Sequence, residues 1–114
     1  MKSIYLSFLA LVDALQGEVS EMSTIDLEAK RLLEVIAIQH NNNEPLKVMD
    51  AMRLDTIASP ATIHRKLQQL EKAGLITMVH MGTNRRKKYL IPTPAAQAFF
   101  EQASAAMSQA MAAR

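Results

Sequence analysis

Residues 59–76, SPATIHRKLQQLEKAGLI, combine small, hydrogen-bonding and positively charged side chains along one predicted helix. Ile63, Leu67 and Leu70 recur at helical spacing, so we expect them to face the interior. The side chains left on the outward face are those of Ala61, Thr62, His64, Arg65, Gln68, Gln69 and Lys72. Arginine and glutamine form paired hydrogen bonds with flat polar groups, and lysine attracts anions. The pattern indicates either a surface that binds a hydrogen-bonding polyanion or an ordinary solvated face.

A second group of cations follows the helix, in the segment GTNRRKK at residues 82–88. It lies between two β-rich stretches, residues 75–81 and 87–91, which are typical of a two-stranded hairpin. Charge is unevenly distributed: residues 1–58 carry five Lys or Arg against nine Asp or Glu, whereas residues 59–114 carry eight against two. The net charge of +2 therefore conceals a strongly basic second half, which favours a polyanionic partner.

Composition limits the class of protein that can carry this surface. The 114 residues are enough for one domain, 49% of them are hydrophobic, and there is no cysteine. Disulfides and thiolate metal sites are thereby excluded, and a cytoplasmic location fits this composition. Because only three glycines and four prolines interrupt the chain, we expect a mostly helical fold.

The remaining elements are predicted from apolar spacing and from residues that start or stop helices. We expect a first helix at residues 3–16 that stops near Gly17, and a second that starts at Ser23 or Thr24. A short extended piece at Leu46 precedes a helix at residues 48–54, and Ser59 caps the helix quoted above. The last helix follows Thr93, with an inward stripe predicted at Ala96, Phe99, Ala103, Met107 and Ala110. The apolar N-terminal stretch IYLSFLALV is interpreted as an amphipathic helix rather than a signal peptide, and it is too short to span a bilayer.

The order of helix, turn, polar helix and basic hairpin suits double-stranded DNA. A helix with an exposed polar face fits the major groove, and a narrow basic hairpin can reach the neighbouring minor groove. The segment resembles the winged helix-turn-helix domain of the MarR family of bacterial transcription regulators. PATIHRKLQQLEKAGLI resembles that family's recognition helix, and TNRRKKYLIPTPAAQAFF resembles its wing and the turn into the next helix. The resemblance covers residues 46–100.

The resemblance implies a mostly α fold with a small β-hairpin, in one domain of 114 residues. Its parts are an N-terminal dimerisation helix and linker at 1–22, a winged helix-turn-helix core at 23–92 and a C-terminal helix at 93–114. It implies a recognition helix at about 60–73 in the major groove and a basic wing at about 82–88 at the minor groove. The predicted DNA-binding residues are Ser59, Pro60, Ala61, Thr62, His64, Arg65, Gln68, Gln69, Asn84, Arg85, Arg86, Lys87 and Lys88. Lys66 and Lys72 are expected to contact phosphate, although the stem of Lys66 could instead pack against a neighbouring helix.

The terminal helices, at 3–16 and 94–112, carry apolar stripes that a small core does not fully cover. In the family such helices join two subunits, and a homodimer suits a pseudo-palindromic DNA site. We therefore expect a homodimer; the other interpretation is that both helices pack onto their own domain. Met49, Met52, Met107 and Met111 could line a pocket for a small-molecule effector, but core packing is the more common role of such residues.

The sequence also bears on two other classes of function. An enzyme is disfavoured, because the sequence has no phosphate-binding glycine loop, no HExxH and no nucleophile elbow, and His40, His64 and His80 are scattered. No cofactor or metal is expected. A winged helix used for protein interaction, or for architectural or replication DNA binding, stays open as the alternative to a sequence-specific regulator.

Overall fold

The computed structural model describes residues 3–18, 20–83 and 86–112. Its elements are α1 (Ile4–Glu18), α2 (Ser20–Ser23), α3 (Leu27–Asn41), β1 (Leu46–Lys47), α4 (Val48–Ala51), α5 (Pro60–Lys72), β2 (Ile76–His80), β3 (Lys88–Pro92) and α6 (Pro94–Ala112). The fold is mostly helical with a small antiparallel sheet, as the sequence predicts. We call residues 27–92 the head, and α1 together with α6 the arm.

The core of the head is built from the apolar faces of α3 and α5 and from the sheet. Four residues of α3 are buried, Ala29, Leu32, Leu33 and Ile36. Ile63, Leu67 and Leu70 of α5 are buried as predicted, and they meet Leu75, Ile76 and Leu90 in the same cluster. The outward direction of the polar face of α5 follows from this packing.

The sheet has three strands rather than the two expected. β2 and β3 form the predicted hairpin, in which Met78 pairs with Leu90. β1 adds to the other edge of β3, with Leu46 opposite Leu90 and Lys47 opposite Tyr89, which gives the order β1–β3–β2. A two-residue strand carries too little alternation to be distinguished from a loop in the sequence.

Both ends of α5 are fixed by local signals. Ser59 is the N-cap, its Oγ accepting a 3.4 Å hydrogen bond from the amide of Thr62, and Pro60 is the first helical residue. At the other end Gly74 has φ +78°, and its amide donates to the carbonyl of Glu71. The amide of Leu75 donates to the carbonyl of Leu70, which completes a Schellman ending and buries Leu75.

Four predicted boundaries or faces differ from the structure. α1 runs through Gly17 to Glu18. α3 is capped by Asp26, whose Oδ1 accepts from the amide of Ala29, and not by Ser23 or Thr24, because residues 20–23 form a separate helical turn. α4 ends at Ala51. In α6, Ala106 is buried and Met107 is half exposed, since contact with α1 selects a slightly different face.

The arm is formed by α1 packed along α6, with α2 folded against α1. Val12 of α1, Met22 of α2 and Ala106 of α6 are buried where these helices meet. Met22, which the sequence places in the linker that follows the first helix, is only 1% exposed and belongs to the core. The molecule is elongated, with extents of 53 × 27 × 24 Å. Within the described residues, no helix combines the length and apolar character needed to cross a membrane.

Candidate nucleic-acid interface

The candidate interface begins at the N-terminal turn of α5. Here the Ser59 hydroxyl donates to Thr62 Oγ1 at 3.1 Å, and Arg65 Nη2 donates to the same oxygen at 3.2 Å. The three side chains therefore form one short chain of hydrogen bonds along the helix. The first turn contains no acidic residue, so the positive end of the helix dipole is not neutralised locally.

The outward face of α5 is open to solvent. Ala61, His64, Arg65 and Gln68 are all exposed, as are Ser59 and Pro60, while Thr62 is half-buried. Exposed donors, acceptors and small residues thus lie together on one rigid helix. Among the described contacts, the Arg65 guanidinium makes one hydrogen bond, to Thr62 Oγ1. Most of its N–H donors therefore face solvent.

Two residues on the flank of α5 point instead toward the segment that joins α2 to α3. Lys66 Nζ forms an ion pair with Asp26 Oδ2, and Gln69 Nε2 donates a 3.2 Å hydrogen bond to the carbonyl of Thr24. The Lys66 side chain is only 18% exposed. The sequence predicts that Gln69 lies on the exposed face of α5. In the structure Gln69 is partly buried and donates a hydrogen bond to the Thr24 carbonyl.

Asp26 has two roles at this contact. Its Oδ1 caps α3 and its Oδ2 binds Lys66. The hydrogen bond from the Lys66 ammonium, followed by that from the Ala29 amide, lowers the pKa of Asp26 from its usual value. The sequence does not predict that Asp26 or Thr24 contacts α5. Their partners, Lys66 and Gln69, lie 40 and 45 residues further along the chain, and no local pattern indicates these contacts.

The wing supplies the second part of the candidate interface. Arg86, Lys87 and Lys88 are exposed at the start of the returning strand, and His80 Nδ1 lies 3.2 Å from the carbonyl oxygen of Lys87. Asn84 and Arg85, also predicted to bind DNA, lie outside the described residues. Because α5 passes through Gly74 directly into β2, the polar helix and the basic wing belong to one continuous unit.

A cleft of about 820 Å³ lies between α3 and α6. Its lining is mixed, with Ile38 and Phe100 beside Glu34, Gln97 and Glu101. None of the four methionines considered for an effector pocket lines this cleft. Among the described residues, no group of three or more His, Cys, Asp or Glu side chains is placed to hold a metal ion.

The helix-turn-helix and the β-hairpin wing define the class of domain as a winged helix-turn-helix. No protein-family model and no curated protein sequence matches the chain. Solved structures do match. RV1404 from Mycobacterium tuberculosis is similar with a TM-score of 0.66 and 19% identity, over 91% of this chain and 66% of that one.

Two further structures agree with this assignment of the fold. YusO from Bacillus subtilis is similar with a TM-score of 0.53 and 27% identity, over 96% of this chain and 76% of that one. A protein described as a MarR family transcriptional regulator, from Clostridium acetobutylicum, is similar with a TM-score of 0.53 and 18% identity, over 96% and 74%. The predicted resemblance is thereby confirmed at the level of the fold. The chain spans about two thirds of the length of RV1404.

Proposed function

We propose that the protein is a sequence-specific, double-stranded DNA-binding transcription regulator that acts as a homodimer. The observation that carries the proposal is the exposed face of α5, where Ala61, His64, Arg65 and Gln68 lie together beside a capped helix N-terminus. The likeness of the fold to a MarR family regulator supports the same assignment. This function implies a cytoplasmic protein.

In the proposed complex α5 enters the major groove. Arg65 reads guanine through paired hydrogen bonds, Gln68 reads adenine, and the methyl group of Ala61 or Thr62 contacts thymine. The Ser59 hydroxyl and the Ala61 amide bind a backbone phosphate, because the helix dipole favours an anion there. The residues proposed to make these contacts, with those of the wing, are Ser59, Pro60, Ala61, Thr62, His64, Arg65, Gln68, Asn84, Arg85, Arg86, Lys87 and Lys88; Gln69 is left out because its Nε2 donates to the Thr24 carbonyl.

In this proposal the wing adds affinity rather than sequence choice. Lys87 and Lys88 bind phosphates, while Arg85 and Arg86 lie at the minor groove. The contribution of such contacts falls steeply with salt, because each neutralised phosphate releases counterions. Removal of a wing lysine should thus weaken binding to all duplexes by a similar factor.

The proposed homodimer rests on the arm. Tyr5 and Leu6 of α1 are 65% and 64% exposed, and Met107 and Met111 of α6 are 50% and 54% exposed. The radius of gyration is 15.4 Å, against about 13 Å for a compact chain of this length. A second copy packed on the arm would cover these side chains and would hold two recognition helices for a pseudo-palindromic site.

The experiment that tests the function is selection from a pool of random duplexes, followed by affinity measurements across a salt series. We expect an enriched inverted repeat. Arg65→Ala should reduce discrimination at one base position by about 1–3 kcal/mol. Lys87→Met should lower affinity for cognate and scrambled duplexes alike and reduce the salt slope by about one.

Other results would point elsewhere. Tight binding without an enriched sequence would favour an architectural or replication DNA-binding module. No duplex binding even at low salt would reject the DNA assignment and favour a protein-interaction module.

A further inference from the structure

The flank of α5 is attached to the segment before α3 by two contacts. Lys66 binds Asp26, and Gln69, one helical turn further on, donates to the Thr24 carbonyl. Residues at i and i+3 lie on the same side of a helix, so both contacts hold one edge of α5. We call Thr24, Asp26, Lys66 and Gln69 the flank clamp.

The flank clamp supplies directional contacts on one edge of α5, which the buried core does not provide. Ile63, Leu67 and Leu70 fix the depth and the buried face of α5 in the head, and close packing resists large rotations, but these apolar contacts are non-directional. A pair of polar contacts on one edge is directional. Rotation of α5 would have to break the ion pair or the hydrogen bond, and the same rotation would turn Arg65 and Gln68 away from their present direction.

From this geometry we infer that Asp26 is a positioning residue for the proposed DNA recognition, and that Lys66 holds α5 in register instead of binding phosphate. The inference rests on the proposed function. Asp26 suits the role because Ala29 fixes one of its carboxylate oxygens as the cap of α3, so the other oxygen meets Lys66 from a fixed site. The lowered pKa of Asp26 agrees with a carboxylate that stays charged beside Lys66.

The flank clamp also connects α5 to the arm. Thr24 Oγ1 donates a hydrogen bond to the carbonyl of Glu21 in α2. The backbone carbonyl of Thr24 in turn accepts a hydrogen bond from Gln69. α2 packs against α1, where Met22 is buried. The flank clamp thus links one edge of α5 to the part of the chain that leads to the proposed dimer interface.

The test compares the substitutions Asp26→Asn and Lys66→Met, singly and together, in the full chain. Asparagine caps a helix about as well as aspartate, so Asp26→Asn removes the ion pair and keeps the cap. Glu34→Gln is the matched control, since it also removes one negative charge, from an exposed pair with Arg31 on α3. Lys87→Met serves as the comparator for loss of a phosphate contact.

The quantities measured are the ratio of affinities for the selected and a scrambled duplex, the salt slope, and the thermal midpoint of each variant. We expect each single variant to lower the affinity ratio about two- to fivefold, the range for an ion pair of this exposure. The double variant should be no worse than either single one, because both remove the same contact. The salt slope of Lys66→Met should equal that of the wild type, and Glu34→Gln should keep the full affinity ratio.

Three results would contradict the inference about Asp26 and Lys66. If Lys66→Met reduces the salt slope by about one, as for Lys87→Met, then Lys66 binds phosphate and the inference is wrong. It also fails if Asp26→Asn keeps the wild-type ratio, or if Glu34→Gln lowers the ratio as much. These results leave the proposed function intact, because the wild type still selects its site; a wild type that selects none would overturn both proposals.

Discussion

Thr93 Oγ1 donates a 2.7 Å hydrogen bond to the carbonyl oxygen of Gly74. The same hydroxyl accepts from the amide of Ala96 at 3.3 Å, and the Thr93 amide donates to the carbonyl of Leu75. One residue thus caps α6 and joins it to the loop that ends α5. The start of the long arm helix and the end of the candidate recognition helix are fixed to each other.

Replacement of this hydroxyl should destabilise the protein measurably. Thr93→Val keeps the shape of the side chain and removes both hydrogen bonds, so we expect a loss of about 1–2 kcal/mol in the free energy of unfolding. Thr93→Ser retains the hydroxyl and is the control. Urea unfolding followed by circular dichroism gives the comparison; equal midpoints for Val and Ser would show that the two hydrogen bonds contribute nothing.

Gly74 allows a test of backbone strain without a steric contribution. Its φ of +78° disfavours any residue with a Cβ, yet a Cβ built there meets no atom within 4 Å. We expect Gly74→Ala to cost about 1–2 kcal/mol from the left-handed conformation alone. Gly74→Asn should cost less, because asparagine tolerates this region better. A stability of Gly74→Ala equal to that of the wild type would mean that the Schellman ending is not needed.

The Asp26–Lys66 ion pair makes part of the stability dependent on pH. Because the pKa of Asp26 is lowered in the folded state, its charged form stabilises the fold above the unfolded pKa of about 3.9, and this contribution is lost as pH falls through the folded pKa. Asp26→Asn has no such group. We expect wild type and variant to differ in urea midpoint at pH 7, and the difference to shrink only below the unfolded pKa and to vanish below the lower folded pKa.

The control for this pH series is Glu34→Gln. This variant removes a carboxylate of α3 that pairs with Arg31 and not with Lys66, so its difference from the wild type reports the general effect of losing one negative charge. A constant gap between wild type and Asp26→Asn across the whole range would show that the ionised carboxylate does not act through Lys66.

The proposed homodimer depends on exposed apolar residues of the arm. Leu6→Glu places a charge on α1, so we expect dissociation at concentrations where the wild type is dimeric, because burial of an unpaired charge is costly. Leu27→Glu is the matched control, since Leu27 is 84% exposed on α3 and lies outside the arm. Sedimentation across a concentration series distinguishes them. A monomeric wild type, or a Leu6→Glu variant as dimeric as the control, would place the interface elsewhere.

Local signals allowed much of the fold to be predicted. Ser59 and Pro60 mark the start of α5 and Gly74 its end, because capping and left-handed φ depend on the residues at those positions. The buried face of α5 followed from the spacing of Ile63, Leu67 and Leu70. The same spacing predicts that Arg65 and Gln68 are exposed, because they lie on the face of the helix opposite the buried one.

Contacts between distant segments were not predictable in this way. β1 pairs with β3 through Leu46 and Leu90, yet two residues carry too little pattern to indicate a strand. Asp26 lies just after the predicted helix start at Ser23 or Thr24, but its contact with Lys66 depends on how α3 and α5 pack. The choice of Ala106 over Met107 as the buried residue likewise depends on α1, which selects the face of α6 that it covers.

The pairing of Leu46 with Leu90 also has a consequence for the order in which the chain folds during synthesis. The segments of α3, α4 and α5 are synthesised before β3. β1 therefore cannot form its hydrogen bonds with β3 until the chain has been synthesised through β3. Pairing across such a separation slows folding, because the intervening chain must be ordered first. A nascent chain that ends before Leu90 therefore lacks the side chain that covers this apolar surface, and transiently exposed apolar surface favours aggregation.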